Sequence, residues 1–410
     1  MNELTVTLVQ IILIVLFGQM LGRLLRQFRQ PAVIGEIAAG ILLGPSAFGR
    51  FAPGTFALVF RPESIATLTA LSQIGLILFM FLVGLEFSPG LMRERRKKIV
   101  VISHVSIVVP FLLGIALALY LYPRVSGPGV PFRNFALFLG TSMSITAFPV
   151  LARILEERHL LRTRMGNTVI ACAAVDDITA WCILAAVVMI VRAGDPAHLA
   201  IRIALLIVYV TAMIAGVRPL LRTRMNRTML AAPLLVVLAS AGITEVLGIH
   251  ALFGAFLAGT IMPRTEGVAE GLIAKIRGLT TVIFLPLFFA VTGLRTNVGL
   301  LDTPGLWFCC ALVLGVAIAG KLGGALLSAA GVGFSWREAS AIGVLMNTRG
   351  LMEMVVLNIG LEIGVISRSL FTMIVLMALI TTAMTTPLLE RILPPTPEVV
   401  APDGAIDAVA

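Results

Sequence analysis

Charge is scarce in this chain. Only 13% of its 410 residues are Asp, Glu, Lys or Arg, against 59% hydrophobic residues. A soluble domain normally carries about a quarter of its residues charged, so a water-soluble enzyme or binding module of this length is excluded. Cysteine is nearly absent as well. Cys172, Cys182, Cys309 and Cys310 all lie in apolar runs, where the thiol behaves as a small hydrophobe, which excludes a disulfide-stapled scaffold. The four histidines, His104, His159, His198 and His250, are scattered without ligand spacing, so no histidine metal centre is readable. Nor is a cleavable leader expected. Arg23, Arg26 and Arg29 follow the apolar run from Leu4 to Leu25 instead of preceding it, and that run is expected to remain as a first span.

What the chain has is apolar length. Splitting the runs at charges and Gly/Pro clusters gives about thirteen segments, near 5–25, 32–47, 65–87, 99–122, 134–155, 165–191, 200–217, 228–247, 250–263, 278–294, 305–330, 338–360 and 368–390, each read as crossing a bilayer. The expectation is an all-α polytopic membrane protein, with a transmembrane unit over 1–393 and a disordered tail or linker over 394–410. The net charge of +10 does not indicate nucleic acid, because the basic residues form short clusters between apolar runs. Alternate loops hold 21 Lys and Arg on one side and 8 on the other, which predicts N-terminus out and C-terminus in.

The second and ninth segments are short, glycine-rich and similar. GEIAAG at 35–40 is matched by GAFLAG at 254–259, and LFMFLVGL at 78–85 by LFFAVTGL at 287–294. An offset of seven segments from the second to the ninth places the copies in opposite orientation, the inverted repeat of many secondary transporters. Such repeats contain helices that break at mid-membrane, and two stretches qualify: GTSMSITAFP at 140–149, which carries Thr141, Ser142, Ser144 and Thr146, and MNTRGLMEM at 346–354, which carries Asn347, Thr348, Arg349 and Glu353. Opened carbonyls and hydroxyls are hard ligands suited to an alkali cation.

Asp176 and Asp177 lie side by side inside the apolar run near 166–191. A carboxylate at this depth costs about 2.5–3.5 kcal/mol, so the pair requires water, a counter-charge or an ion. Neighbours on a helix diverge by about 100°, so the two have different partners. One is expected to pair with Lys321, the lone lysine of the eleventh segment, and the other to face a water-filled cavity. Burial and a like charge favour the protonated carboxyl, whereas a lysine or bound cation favours the carboxylate. One site can therefore trade a proton for a metal ion. Arg349 and Glu353, four residues apart, are expected to neutralise each other in a structural or gating role. Glu36, in the second segment, is a secondary candidate, more in keeping with a hydrogen-bonded structural acid.

GEIAAGILLGPS at 35–46, GTSMSITAFPVLARIL at 140–155, AAVDDITAW at 173–181, the Gly320-Lys321 pair and NTRGLMEMVVLNIGL at 347–361 together resemble the monovalent cation:proton antiporter-2 family, near its plant cation/proton exchanger branch. The resemblance implies a sodium/proton antiporter fold of thirteen spans, a homodimer, and a core moving against a panel domain. It implies Asp177 as the principal cation and proton carrier and Asp176 as the partner of Lys321, with Ser142, Ser144 and Thr146 lining the site. No cofactor is implied beyond transported sodium or potassium and protons, and the expected location is a bacterial inner membrane. A cation channel and a sodium-coupled organic-anion carrier are the alternatives. An intramembrane aspartyl protease needs two carboxyls sharing one water, which adjacent residues on one helix do not provide.

Overall fold

The computed structural model describes residues 3–86, 96–158, 160, 163–193, 196–224, 231–248, 250–263 and 268–393. Arg93, Arg95, His159, Arg162, Arg227, Arg264 and the tail over 394–410 lie outside these residues. The described residues form helices and no strand. Within a bilayer this is the economical arrangement, because each helix satisfies its own backbone polar groups.

In chain order the helices are α1 (Glu3–Gln27), α2 (Ala32–Leu43), α3 (Pro62–Glu86), α4 (Arg96–Val125), α5 (Phe132–Ser144), α6 (Phe148–Glu157), α7 (Arg164–Ala193), α8 (Pro196–Thr211), α9 (Ala231–Val246), α10 (Ala251–Ile261), α11 (Leu285–Arg295), α12 (Pro304–Gly331), α13 (Trp336–Met346), α14 (Leu351–Glu362) and α15 (Arg368–Ile392). Two short helices, Phe48–Phe51 and Pro53–Val59, join α2 to α3. A π-helical segment, Ala212–Val217, continues α8 into a short helix, Arg218–Arg224, and another, Thr280–Phe284, joins the helix Val268–Leu279 to α11. Ten helices among the described residues are long and apolar enough to cross a membrane, counting α13 and α14 as one span, and Ala231–Val246 and Ala251–Ile261 are shorter apolar helices.

The internal repeat organises the packing. Gly40 on α2 meets Gly293 on α11 so closely that a Cβ on Gly40 would stand 2.2 Å from the Ala290 carbonyl oxygen, and one on Gly293 would stand 2.4 Å from that of Ile37. The other copy makes the same crossing. A Cβ on Gly84 of α3 would stand 2.3 Å from the Phe256 carbonyl oxygen, and one on Gly259 of α10 would stand 2.3 Å from that of Phe81. Each copy's first short helix therefore packs against the second helix of the other copy, with only glycine permitting the approach.

These crossings flank a deeper body. α4 packs along α5 and α12, and α7 along α4, α5 and α6. The span made of α13 and α14 is the most enclosed, with 94% of its apolar window buried. It carries Asn347, Thr348, Arg349 and Glu353, all buried. Polar side chains at the centre of a membrane protein require partners, and those partners define the site.

Candidate functional site

Two helices break where the sequence places their polar motifs. α5 ends at Ser144 and α6 resumes at Phe148; α13 ends at Met346 and α14 resumes at Leu351. The last four carbonyls of any helix lack an internal donor, and in α5 all four find one elsewhere. Ser144 Oγ donates to the Thr141 carbonyl at 2.8 Å, Arg349 Nη1 to Ser142 at 2.6 Å, Arg349 Nη2 to Met143 at 2.7 Å, and Lys321 Nζ to Ser144 at 2.6 Å. Two cations thus sit at the negative end of this half-helix, where the helix dipole favours them.

The second break is closed by its own loop and by the first. The Asn347 amide donates to the carbonyls of Gly343 and Val344, and the Thr348 amide and hydroxyl both donate to Leu345. The Met346 carbonyl lies 3.1 Å from Thr146 Oγ1, and the Ala147 amide donates to the Thr348 carbonyl at 3.1 Å. The two breaks therefore cross in contact. Thr382 on α15 secures the loop, accepting from the Arg349 amide at 2.9 Å and donating to its carbonyl at 2.7 Å.

Asp176 of α7 lies beside this crossing, fully buried. Its carboxylate accepts from Ser103 Oγ at 2.6 Å, Thr146 Oγ1 at 2.9 Å and Lys321 Nζ at 2.8 Å, and takes a share of the Ser106 hydroxyl proton at 3.1 Å, which also reaches the Ser103 carbonyl at 2.9 Å. Lys321, also fully buried, gives its other two protons to the carbonyls of Ser106 at 3.0 Å and Ser144 at 2.6 Å. An ammonium has three donors, and all three are used. Desolvation opposes a buried ion pair unless its remaining hydrogen-bonding capacity is met, and here it is met.

Asp177 is built differently. Phe148, at the positive N-terminal end of α6, lies beside its carboxyl, a favourable place for negative charge. Its Oδ1 is buried and has no hydrogen-bond partner among the described residues. Further unpartnered atoms occur in the breaks and beside them: Ser142 Oγ, Asn347 Oδ1, Glu353 Oε1 and Arg349 Nε. Buried oxygens in this state are costly unless something supplies positive charge or a proton. The donor set is hard oxygen, which suits an alkali cation and a proton alike.

The structure brings most of the expected residues together, with individual orientations the sequence did not specify. Thr146 reaches Asp176 through its hydroxyl. Ser144 offers its carbonyl to Lys321 while its hydroxyl turns back to Thr141, and the Thr141 hydroxyl turns back to Leu137 at 2.7 Å. Arg349 lies in the break itself, and its Nη1 donates to Glu353 Oε2 at 2.6 Å. Glu36 is half-buried beside Gly18 of α1, away from full enclosure. Glu245 accepts from Arg192 at 3.2 Å and from the Ala251 amide at 2.9 Å. Sequence reasoning missed Ser103, Ser106 and Thr382. The signal for the first two was two serines three residues apart in an apolar helix, which places them on one face.

A pair of crossed broken helices, an internal repeat of inverted type and a buried carboxylate pair with one lysine define a class, the helical secondary transporters. The family is narrower. The profile of the family described as sodium/hydrogen exchanger, transmembrane, matches residues 12–393, and the chain belongs to that family. It is 43% identical over 403 residues to the Na(+)/H(+) antiporter NhaS4 of Synechocystis, covering 96% of this chain and 98% of that one. It is 39% identical to cation/H(+) antiporter 17 of Arabidopsis thaliana over 96% of this chain and 49% of that one. With K(+)/H(+) antiporter 1 of Saccharomyces cerevisiae it shares 36% identity over 96% of this chain and 47% of that one. The chain thus spans about half the length of these two eukaryotic relatives. Among solved structures, the sodium proton antiporter MjNhaP1 of Methanocaldococcus jannaschii has the same fold, with a TM-score of 0.62 at 15% identity, covering 95% of this chain and 97% of that one.

Proposed function

We propose that this protein exchanges sodium or potassium for protons across a membrane, with Asp177 as the group that carries cation and proton in turn. One observation carries the assignment. Asp176 is bonded by four donors and its lysine is saturated, whereas Asp177 Oδ1 is buried without a partner. A carboxylate already committed to a lysine has little left to offer a cation; the one beside it has. If cation and proton compete for Asp177 on both faces of the membrane, alternating exposure couples their gradients without covalent chemistry. The names of the relatives, all antiporters, favour this over a channel or an organic-anion carrier.

In this proposal thirteen segments cross the membrane, the crossed breaks and α7 move together against α2, α3, α10 and α11, and two copies associate. The unit spans residues 1–393, with the N-terminus out, the C-terminus in and a bacterial inner membrane as its place. The test is flux in proteoliposomes, comparing sodium, potassium and lithium gradients with and without a clamped voltage. Vesicle pH that responds to an imposed cation gradient supports exchange, and currents that persist without any proton movement would overturn it in favour of a channel.

A further inference from the structure

α4 contains two prolines in its interior, Pro110 and Pro123, of which Pro110 is buried against α12. A proline has no amide proton, so the carbonyl four residues earlier loses its helical donor. That carbonyl belongs to Ser106. It is the one that accepts from Lys321 Nζ at 3.0 Å. Gly320, next to the lysine, is the residue that lets α12 close on this point, since a Cβ there would stand 2.9 Å from Pro110 Cα and Cβ. The Ser106 hydroxyl meanwhile shares its one proton between the Ser103 carbonyl at 2.9 Å and Asp176 Oδ2 at 3.1 Å. One residue of α4 thus touches both members of the ion pair, and its carbonyl lacks a helical donor because position 110 is a proline.

The same device occurs a second time. Pro387 lies inside α15, and the carbonyl four residues before it, that of Ala383, accepts from Gln30 Nε2 at 3.1 Å. Freed carbonyls within the bilayer must be satisfied by neighbouring groups, and here one recruits a lysine of α12 and the other a glutamine of the segment between α1 and α2.

We infer that Pro110 is a positioning residue of the exchange centre: it exposes the Ser106 carbonyl so that Lys321 is held as a fully bonded ammonium beside Asp176. The inference rests on the proposed exchange function. Pro110 touches neither cation nor reacting proton. Restoring an amide at this position gives the carbonyl a second, helical donor that draws it toward the helix axis and weakens its bond to the lysine.

Pro110→Ala supplies that amide. The expected result is an exchange rate about tenfold lower, the size of effect that a hydrogen bond to a charged group produces, and a pH profile displaced in the same direction as that of Lys321→Gln. Melting separates positioning from simple structural damage. Pro110→Ala should raise the melting temperature more in the Lys321→Gln background than in the wild type, because in the former the restored amide has no competitor. If the alanine variant is not recovered folded, Pro110→Gly supplies the same amide and is read in the same way. An unmoved rate and pH profile, or equal melting shifts in the two backgrounds, overturns the inference. Loss of exchange in Asp177→Asn together with an unmoved Pro110→Ala profile removes this inference alone, whereas full exchange by Asp177→Asn removes the functional reading beneath it.

Discussion

Asp176 and Asp177 are neighbours in the chain in opposite bonding states: the first accepts from Ser103, Ser106, Thr146 and Lys321, and the second keeps Oδ1 buried without a hydrogen-bond partner. The divergence of about 100° between successive helical residues turns one toward α4 and α12 and leaves the other for the N-terminal end of α6. A division of labour follows, with Asp176 holding the lysine and Asp177 exchanging ions.

Replacement of Asp177 by asparagine should leave the protein folded and reduce exchange by at least about a hundredfold, since a neutral amide neither trades protons nor balances a cation. Proteoliposome flux alongside a melting curve measures both. Retention of wild-type flux would place the carrier elsewhere.

If cation and proton share Asp177, they compete. In the acidic range, each unit fall in pH should raise the apparent KM for the cation about tenfold and leave the maximal rate unchanged, because protonated Asp177 is simply removed from cation binding. The sign is fixed by the carboxylate being the cation-binding form. Initial rates over a grid of pH and cation concentration test it, and a KM independent of pH contradicts direct competition.

Lys321→Gln removes one partner of a sealed ion pair and strands the Asp176 charge among three hydroxyls. Breaking a buried pair from one side costs about 3–5 kcal/mol, so the single variant should melt well below the wild type. Adding Asp176→Asn should recover much of the loss while leaving the pH dependence altered. A single variant as stable as the wild type would show that the pair does not anchor the core.

Arg349→Lys should behave as a severe change. The guanidinium fork bonds two consecutive carbonyls, Ser142 and Met143, as well as Glu353, and an ammonium does not reproduce that planar geometry. A loss of about 2–4 kcal/mol is expected from stranding a buried carbonyl and weakening a buried pair. Thermal melting of Arg349→Lys against Arg349→Gln tests it; a lysine variant equal to wild type would make charge alone sufficient.

Gly40→Ala and Gly259→Ala should each lower stability by about 1–3 kcal/mol or reduce the yield of folded protein, because the new methyl meets backbone rather than a movable side chain. Gly315→Ala, with nothing near the added carbon, serves as the control. Similar behaviour of all three would contradict the close crossing of the two repeats.

Much of this centre was legible along the chain, for an electrostatic reason. In an apolar run each charged or hydroxylated residue stands out, because the bilayer makes it expensive; Asp176, Asp177, Lys321, Arg349 and Glu353 are visible on that ground, as are the two breaks. Ser103, Ser106 and Pro110 were not, since a serine pair and a proline in a long apolar helix also suit an ordinary kinked span. Their role depends on what α7 and α12 bring opposite them. Thr382 is hidden for the same reason, nearly three turns from the end of α15 and meaningful only against the backbone of Arg349.

The sequence by itself determined that this is a helical membrane protein with two related halves, two broken helices and a carboxylate pair at depth, because hydropathy, repeat spacing and buried charge are properties of the chain read in order. The tertiary structure decided which aspartate takes Lys321, which hydroxyls face the pair and which carbonyls the two cations cap. Those choices depend on distances of 2.6–3.1 Å between helices far apart in the chain, and local residue order does not encode how separate helices rotate against one another.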